Sequence, residues 1–184
     1  MMKTLIQSIR LTLVLTVLLC IIYPVVISFA GKFSKGKGSG ETIALNGKIV
    51  GYANEGQKFD KPQYFWSRPS AVGYNAAGSA GSNKGPSNPD YLKEVNSRID
   101  TLLKYHPYLK RSDIPADMVT ASGSGLDPDI SPAGAQIQVK RVAQFRKLDE
   151  QKVAALVKEN TEKPLFGPEK VNVLKLNVAL DELK

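Results

Sequence analysis

The chain has 184 residues, enough for one modest domain and an appendage, with 25 Lys and Arg against 17 Asp and Glu, one His and one Cys. A single cysteine excludes an intrachain disulfide or redox pair, and one His with one Cys leaves a zinc cage short of ligands. The positive charge is dispersed, in doublets such as Lys110–Arg111 and Lys140–Arg141 rather than a stripe with aromatic platforms. This speaks against nucleic acid and for a mild attraction to anionic lipid headgroups.

Leu11 to Ala30, "LTLVLTVLLCIIYPVVISFA", carries no charge. At about 1.5 Å per residue it is roughly 30 Å long as a helix, the thickness of a bilayer's hydrocarbon core. Thr12, Thr16, Tyr23 and Ser28 can satisfy their hydroxyls within the helix, and Pro24 sits towards its end, where a kink is tolerated. A lipoprotein signal lacks small residues ahead of Cys20. A cleavable signal finds small residues in "SFA" at 28–30, but signal cores run to about 7–15 residues, shorter than this one. The segment reads as a retained anchor, with the cleavable signal as the alternative. Lys3 and Arg10 before it nearly balance Lys32, Lys35 and Lys37 after it, so charge alone scarcely orients it. The short tail is the easier end to leave in the cytoplasm. The expected organisation is a cytoplasmic tail (1–10), a transmembrane helix (11–30), a linker (31–40) and one extracytoplasmic domain (41–184).

In the domain, Asn46-Gly47 between two apolar runs predicts a hairpin. "GQKFDKPQYFWSRPSAVGYN" is aromatic and proline-punctuated, expected to be irregular with one short strand at most. "GYNAAGSAGSNKGPSNPD" (73–90) is a glycine-rich loop. Asn88-Pro89 caps and starts a helix in which Tyr91, Val95, Ile99, Leu102 and Leu103 share a face, ended by His106-Pro107. A second glycine- and proline-rich loop, "DIPADMVTASGSGLDPDISPAGAQ", follows. Ser131-Pro132 opens a further helix with Val139, Val142, Ala143 and Phe145 towards the core, and Asp149 caps a third. "VNVLKLNVAL" (171–180) is β-branched and partly alternating, and is expected to be a strand returning to the sheet. The fold class is α+β: a single N-terminal transmembrane helix followed by one small mixed domain.

Catalytic constellations are hard to find. The 73–90 loop follows no apolar strand, and no Gly-Lys precedes a Ser or Thr, so it fails as a phosphate-binding P-loop. It reads instead as an exposed loop using the freedom of glycine, or as one shaped to meet another protein. His106 at a helix end reads as a cap or surface residue, and no serine sits in a nucleophile-elbow setting. Asp127 and Asp129 lack the other ligands of a calcium loop and read as a turn before Ser131.

The stretches "YFWSRPSAVGYNAAGSAGSNKGPSNPDYL" and "VTASGSGLDPDISPAGAQIQVKRVAQFRKL" resemble the KdpC family, the C subunits of the potassium-importing Kdp P-type ATPases. So do "YP" in the span, "GQKF" at 56–59, "RPSA" at 68–71 and "VNVLKLNVALD" at 171–181. Lys84 stands where the family usually has leucine, and Ile137 where it has an aromatic residue. The resemblance implies a non-catalytic accessory subunit of the bacterial inner membrane, single-pass, amino terminus inside and domain outside. The implied partners are a channel-like potassium-binding subunit (KdpA-type), an ATP-hydrolysing subunit (KdpB-type), a small stabilising subunit (KdpF-type) and membrane lipid. It also carries the proposal of a catalytic chaperone that raises the pump's ATP affinity. No cofactor is expected to bind firmly, with ATP reached through the complex and Gln138 as the family-derived nucleotide contact. The candidate partner-docking residues are Arg68, Gly78, Gly81, Asn83, Gly85, Gly123, Gly125 and Arg141. The alternative is a stand-alone anchored domain that binds a ligand.

Overall fold

The computed structural model describes residues 2–183. The chain divides into two units, Met1–Glu41 and Thr42–Lys184. In the first, α1 (Met2–Val17), one wide π turn (Leu18–Ile22) and α2 (Tyr23–Gly31) form a continuous helix, long and apolar enough to cross a membrane. It extends beyond the uncharged run at its amino-terminal end. The π turn lies directly before Pro24, with the Tyr23 N–H reaching back to the Leu18 carbonyl. A proline has no N–H for the ladder and crowds the preceding turn, and the helix absorbs this by widening for one turn.

The second unit opens with the expected hairpin, β1 (Thr42–Leu45) and β2 (Lys48–Tyr52), antiparallel with a bulge between Ile43 and Ala44. Asn46 and Gly47 both take positive φ, 52° and 76°, the mirror-image turn that matches strand twist. The long helix α3 (Pro89–Tyr105) starts where Asn88 accepts hydrogen bonds from the N–H groups of Asp90 and Tyr91. It buries Ile99 and Leu102. Two short 3-10 turns, 111–113 and 116–118, lead to β3 (Asp129–Ile130). The helix expected from Ser131 onward is divided. α4 (Pro132–Gln136) is capped by Ser131 Oγ, and the chain is then re-aimed at Ile137–Gln138 before α5 (Val139–Arg146). α6 (Glu150–Glu159) is capped by Asp149, followed by β4 (Thr161–Glu162), β5 (Lys170–Asn172) and α7 (Val173–Glu182).

Two expectations on core elements need correction. The 171–180 segment is strand only to Asn172; Asn172 then accepts from the Lys175 N–H and caps α7. Val173, Leu176, Asn177 and Leu180 recur at helical spacing and are all buried, so packing of that face overrides the β-branched composition. Phe145 does not face the core but is more than half exposed on α5, while Val139, Val142 and Ala143 are buried as expected.

β5 is the middle strand of a three-stranded antiparallel sheet, β3-β5-β4, with Val171 opposite both Ile130 and Thr161. The core gathers Phe65, Ile99, Leu102, Met118, Val142, Val153, Val171 and Leu176 between the helices and this small sheet.

Candidate functional site

Residues 53–75 contain no strand among the described residues, yet Phe65 is fully buried and Trp66 half-buried. The segment is held by side-chain amides in place of a neighbouring strand. Phe65 donates its N–H to Asn177 Oδ1 (2.9 Å), and Asn177 Nδ2 donates to the Phe65 carbonyl (3.0 Å). One residue on, Trp66 donates its N–H to Gln138 Oε1 (2.7 Å), and Gln138 Nε2 donates to the Trp66 carbonyl (3.2 Å). Buried main-chain polar groups must be paired, and two amides satisfy four of them.

Arg141 completes this clamp from α5. Its Nε donates to His106 Nε2 (2.9 Å), Nη1 to the carbonyls of Tyr64 (3.0 Å) and Pro62, and Nη2 to Gln138 Oε1 (2.7 Å). The guanidinium also lies over the Trp66 ring, 4.4 Å from its centroid. Burial lowers the guanidinium to about 10, so it remains charged at neutral pH. Burial pushes His106 down to about 4, and the neighbouring Arg141 charge adds to this. The neutral imidazole with its proton on Nδ1 fits both contacts, donating to the Leu102 carbonyl (2.7 Å) and accepting from Arg141. His106 is thus the last residue of the α3 cap, as expected, but is wholly buried rather than on the surface. Arg141 is 1% exposed and has no face to give a partner, so its nomination as a docking residue is corrected to that of a clamp. Gln138 is wholly buried too, with its amide engaged by Trp66, Arg141 and Gly134; in this conformation it offers nothing to a nucleotide.

Beyond the clamp, the two glycine-rich loops meet. Arg68 Nε donates to the Thr120 carbonyl (3.2 Å) and Nη1 pairs with Asp127 (3.0 Å). Ser70 Oγ donates to the Gly125 carbonyl (2.6 Å) while accepting from the N–H groups of Val72 and Tyr74. Ser79 Oγ donates to the Ser124 carbonyl (2.9 Å). Tyr74 takes φ 61°, and burial raises its phenol to about 12. The result is one polar ridge made from segments some 45 residues apart in sequence.

Glycine serves this ridge less through φ than through close approach. Gly125 alone of the nominated five has positive φ (68°), and a Cβ there would meet Val72 Cγ2 at 2.6 Å and the Ala80 carbonyl at 2.7 Å. A Cβ at Gly81 would lie 3.0 Å from the Gly123 carbonyl. Gly85 and Gly123 face open space and Gly78 is nearly as free, so their expected special backbone is corrected. Asn83 takes the left-handed conformation instead, φ 52°. Lys84 pairs with Glu94 of α3 at 2.5 Å. Asp127 Oδ1 accepts from the Asp129 N–H in the expected turn. No group of three or more His, Cys, Asp or Glu among the described residues is placed to hold a metal.

The residues the sequence reading missed are Trp66, Ser70 and Asn177. The available signal was an amide set in an apolar helical face, as Asn177 is between Leu176 and Val178.

One apolar helix long enough to cross a membrane and one α+β unit, whose loops are fastened to each other through main-chain carbonyls, define a small helix-led chain with a built polar surface. Residues 5–182 match the family described as KdpC: K+-transporting ATPase, c chain. The potassium-transporting ATPase KdpC subunit of Flavobacterium johnsoniae is 63% identical over 183 residues, with both chains covered in full. That of Bacteroides fragilis (strain YCH46) is 57% identical, covering 100% of this chain and 99% of its own. That of Caldanaerobacter subterraneus is 48% identical, covering 97% and 95%. The chain belongs to the KdpC family.

Proposed function

We propose that this subunit of the potassium-transporting ATPase is non-catalytic and supports assembly. It stands outside the membrane and joins the channel-like (KdpA-type) and ATP-hydrolysing (KdpB-type) subunits through the ridge formed by 68–87 and 120–127. The observation that carries this reading is the ridge itself. Two polar loops are fixed by at least four inter-segment hydrogen bonds, and fixing them has an entropic cost that a passive surface loop has no reason to meet. A preorganised surface binds without that cost falling due on association. A direct nucleotide role through Gln138 would require the amide to leave all its partners, which favours support over ATP contact. Any influence on the pump's ATP affinity then passes through subunit contact.

The test uses positions where added bulk meets nothing internal. Gly85→Arg with Gly123→Arg should leave thermal unfolding unchanged, because a Cβ at either site faces open space. The same pair should lower recovery of the other subunits with tagged protein from detergent-extracted membranes by at least about tenfold, the equivalent of about 1.4 kcal/mol. A normally folded variant with full recovery would remove the ridge from the interface.

A further inference from the structure

The turns that follow the apolar helix leave three cations free. The last helical carbonyls are satisfied by the main chain, with the N–H groups of Lys32, Phe33 and Ser34 donating to Phe29 (3.1 Å), Ala30 (3.1 Å) and Gly31 (3.0 Å). Ser34 Oγ also donates to the Gly31 carbonyl (2.7 Å) and accepts from the Gly38 N–H (3.3 Å), while the Lys37 N–H donates to the Ser34 carbonyl (2.9 Å). Gly36 permits this fold-back, because a Cβ there would overlap the Gly40 main chain. Segment 31–40 is thus a compact turn where the sequence suggests a linker. The helix end needs no lysine side chain to cap it. Lys32, Lys35 and Lys37 are exposed and make no ion pair or side-chain hydrogen bond among the described residues.

Alongside runs a groove of about 360 Å³ on α2, lined by Pro24, Val25, Ser28, Phe29 and Lys32. These positions recur at the helical period, so they form one stripe that ends at the Lys32 ammonium. Val25 and Phe29 give it apolar walls, and Phe33 stands edge-on to Phe29 with 5.5 Å between ring centroids. Ser8 Oγ donates to the Thr4 carbonyl, but Ser28 Oγ has no such partner among the described residues. The groove therefore offers apolar walls, a free hydroxyl and a cation at its end. A phospholipid presents the matching series of acyl chain, ester and phosphate. A helix whose uncharged run stops at Ala30 brings Lys32 to headgroup depth whichever way it crosses a bilayer. A neighbouring helix fits this face poorly. Close helix packing wants small residues, whereas Phe29 and Phe33 are 62% and 80% exposed and hold a second backbone away.

We propose that this end of the helix is a binding site for one anionic phospholipid. An acyl chain lies in the groove against Val25 and Phe29, and the Ser28 hydroxyl donates to an ester carbonyl. The phosphate is held by Lys32, with Lys35 and Lys37 beside it. The site rests on the membrane-anchored reading and is independent of the glycine ridge and of the helix's orientation.

The test reconstitutes the full-length chain in phosphatidylcholine vesicles holding a trace of spin-labelled phosphatidylglycerol or spin-labelled phosphatidylcholine. The motionally restricted signal should favour phosphatidylglycerol at least about fivefold, and high salt should weaken the preference. Lys32→Gln with Lys35→Gln and Lys37→Gln should bring the two lipids to parity, while Lys32→Arg with Lys35→Arg and Lys37→Arg should keep the preference. Ser28→Trp fills the groove but spares every cation, and it should cut the preference by about half or more. An unchanged preference in that variant would leave only diffuse surface charge and overturn the site. A photoreactive phenylalanine analogue in place of Phe29, in the chain co-expressed with the other subunits, should crosslink to phospholipid. Crosslinks to protein alone would show the groove covered by another helix and overturn it too. A wild-type chain stripped from the vesicles by alkaline carbonate would defeat the anchored reading and the site with it. A retained chain that treats both lipids alike would defeat the site alone.

Discussion

Arg141 is a buried cation whose hydrogen bonds run to two carbonyls, an amide and an imidazole, none of them a carboxylate. Its charge is solvated by oriented dipoles and by the face of Trp66, and this arrangement depends on His106 staying neutral. The folded protein holds His106 at about 4 against an ordinary 6.5, so the unfolded chain takes up the proton first as pH falls. The associated stability is complete above pH 6.5 and disappears progressively towards pH 4, amounting to about 3 kcal/mol. Urea denaturation should therefore show a midpoint falling across that window, and His106→Gln, which cannot titrate, should remove this part of the slope. Gln138→Leu keeps the volume roughly constant but leaves the Trp66 main chain and one Arg141 donor unpaired. It should cost about 3 kcal/mol, the scale of unsatisfied buried polar groups, with a matching fall in the thermal midpoint. Unchanged stability would mean that water replaces the amide. None of this was legible in the sequence. Gln138 was expected to contact a nucleotide and Arg141 a partner, because their own partners at 62–66 lie more than seventy positions away.

Where an element's causes are local, its sequence announced it. Asn88-Pro89 fixes the start of α3 through a side chain two and three residues from its targets, and Asn46-Gly47 turns its hairpin through their own φ values. α7 was misread because Asn177 interrupts the apolar face, although its amide belongs to the interior. The end of α5 went unnoticed for the opposite reason. Lys147 adopts φ 57°, the Leu148 N–H bonds to the Ala143 carbonyl (3.0 Å) and the Lys147 N–H to that of Gln144 (3.3 Å), a Schellman ending. Glycine normally supplies that left-handed residue, and a lysine there carries about 1 kcal/mol of strain. Lys147 is exposed and its conformation is the only thing the turn requires. Lys147→Gly should raise the thermal midpoint by roughly 2–4 °C in differential scanning calorimetry. A lower midpoint would show that the side chain contributes more than its backbone costs.

At the scale of the molecule, the apolar helix and the α+β unit were both readable, the first from twenty uncharged residues and the second from caps and turns. The meeting of the two glycine loops was not, since glycine's use there is close approach across space, which no local pattern encodes. The proposed orientation, amino terminus inside, is tested by protease added to intact spheroplasts, which should remove the 42–184 unit while a fragment of the helix persists in the membrane. Full protection of that unit would reverse the orientation. The sheet has a further consequence, for how the protein is made. Its central strand is β5, supplied by residues 170–172, and the Phe65 main chain waits for Asn177. The strands that flank the centre are synthesised first and have nothing to pair with until residues 170–172 follow them. The domain therefore cannot close before residues 170–177 are made, and a chain cut short before residue 170 has neither a sheet centre nor a latch for its aromatic segment. Such a product should be cleared by proteases rather than accumulate as a competitor for the subunit's place.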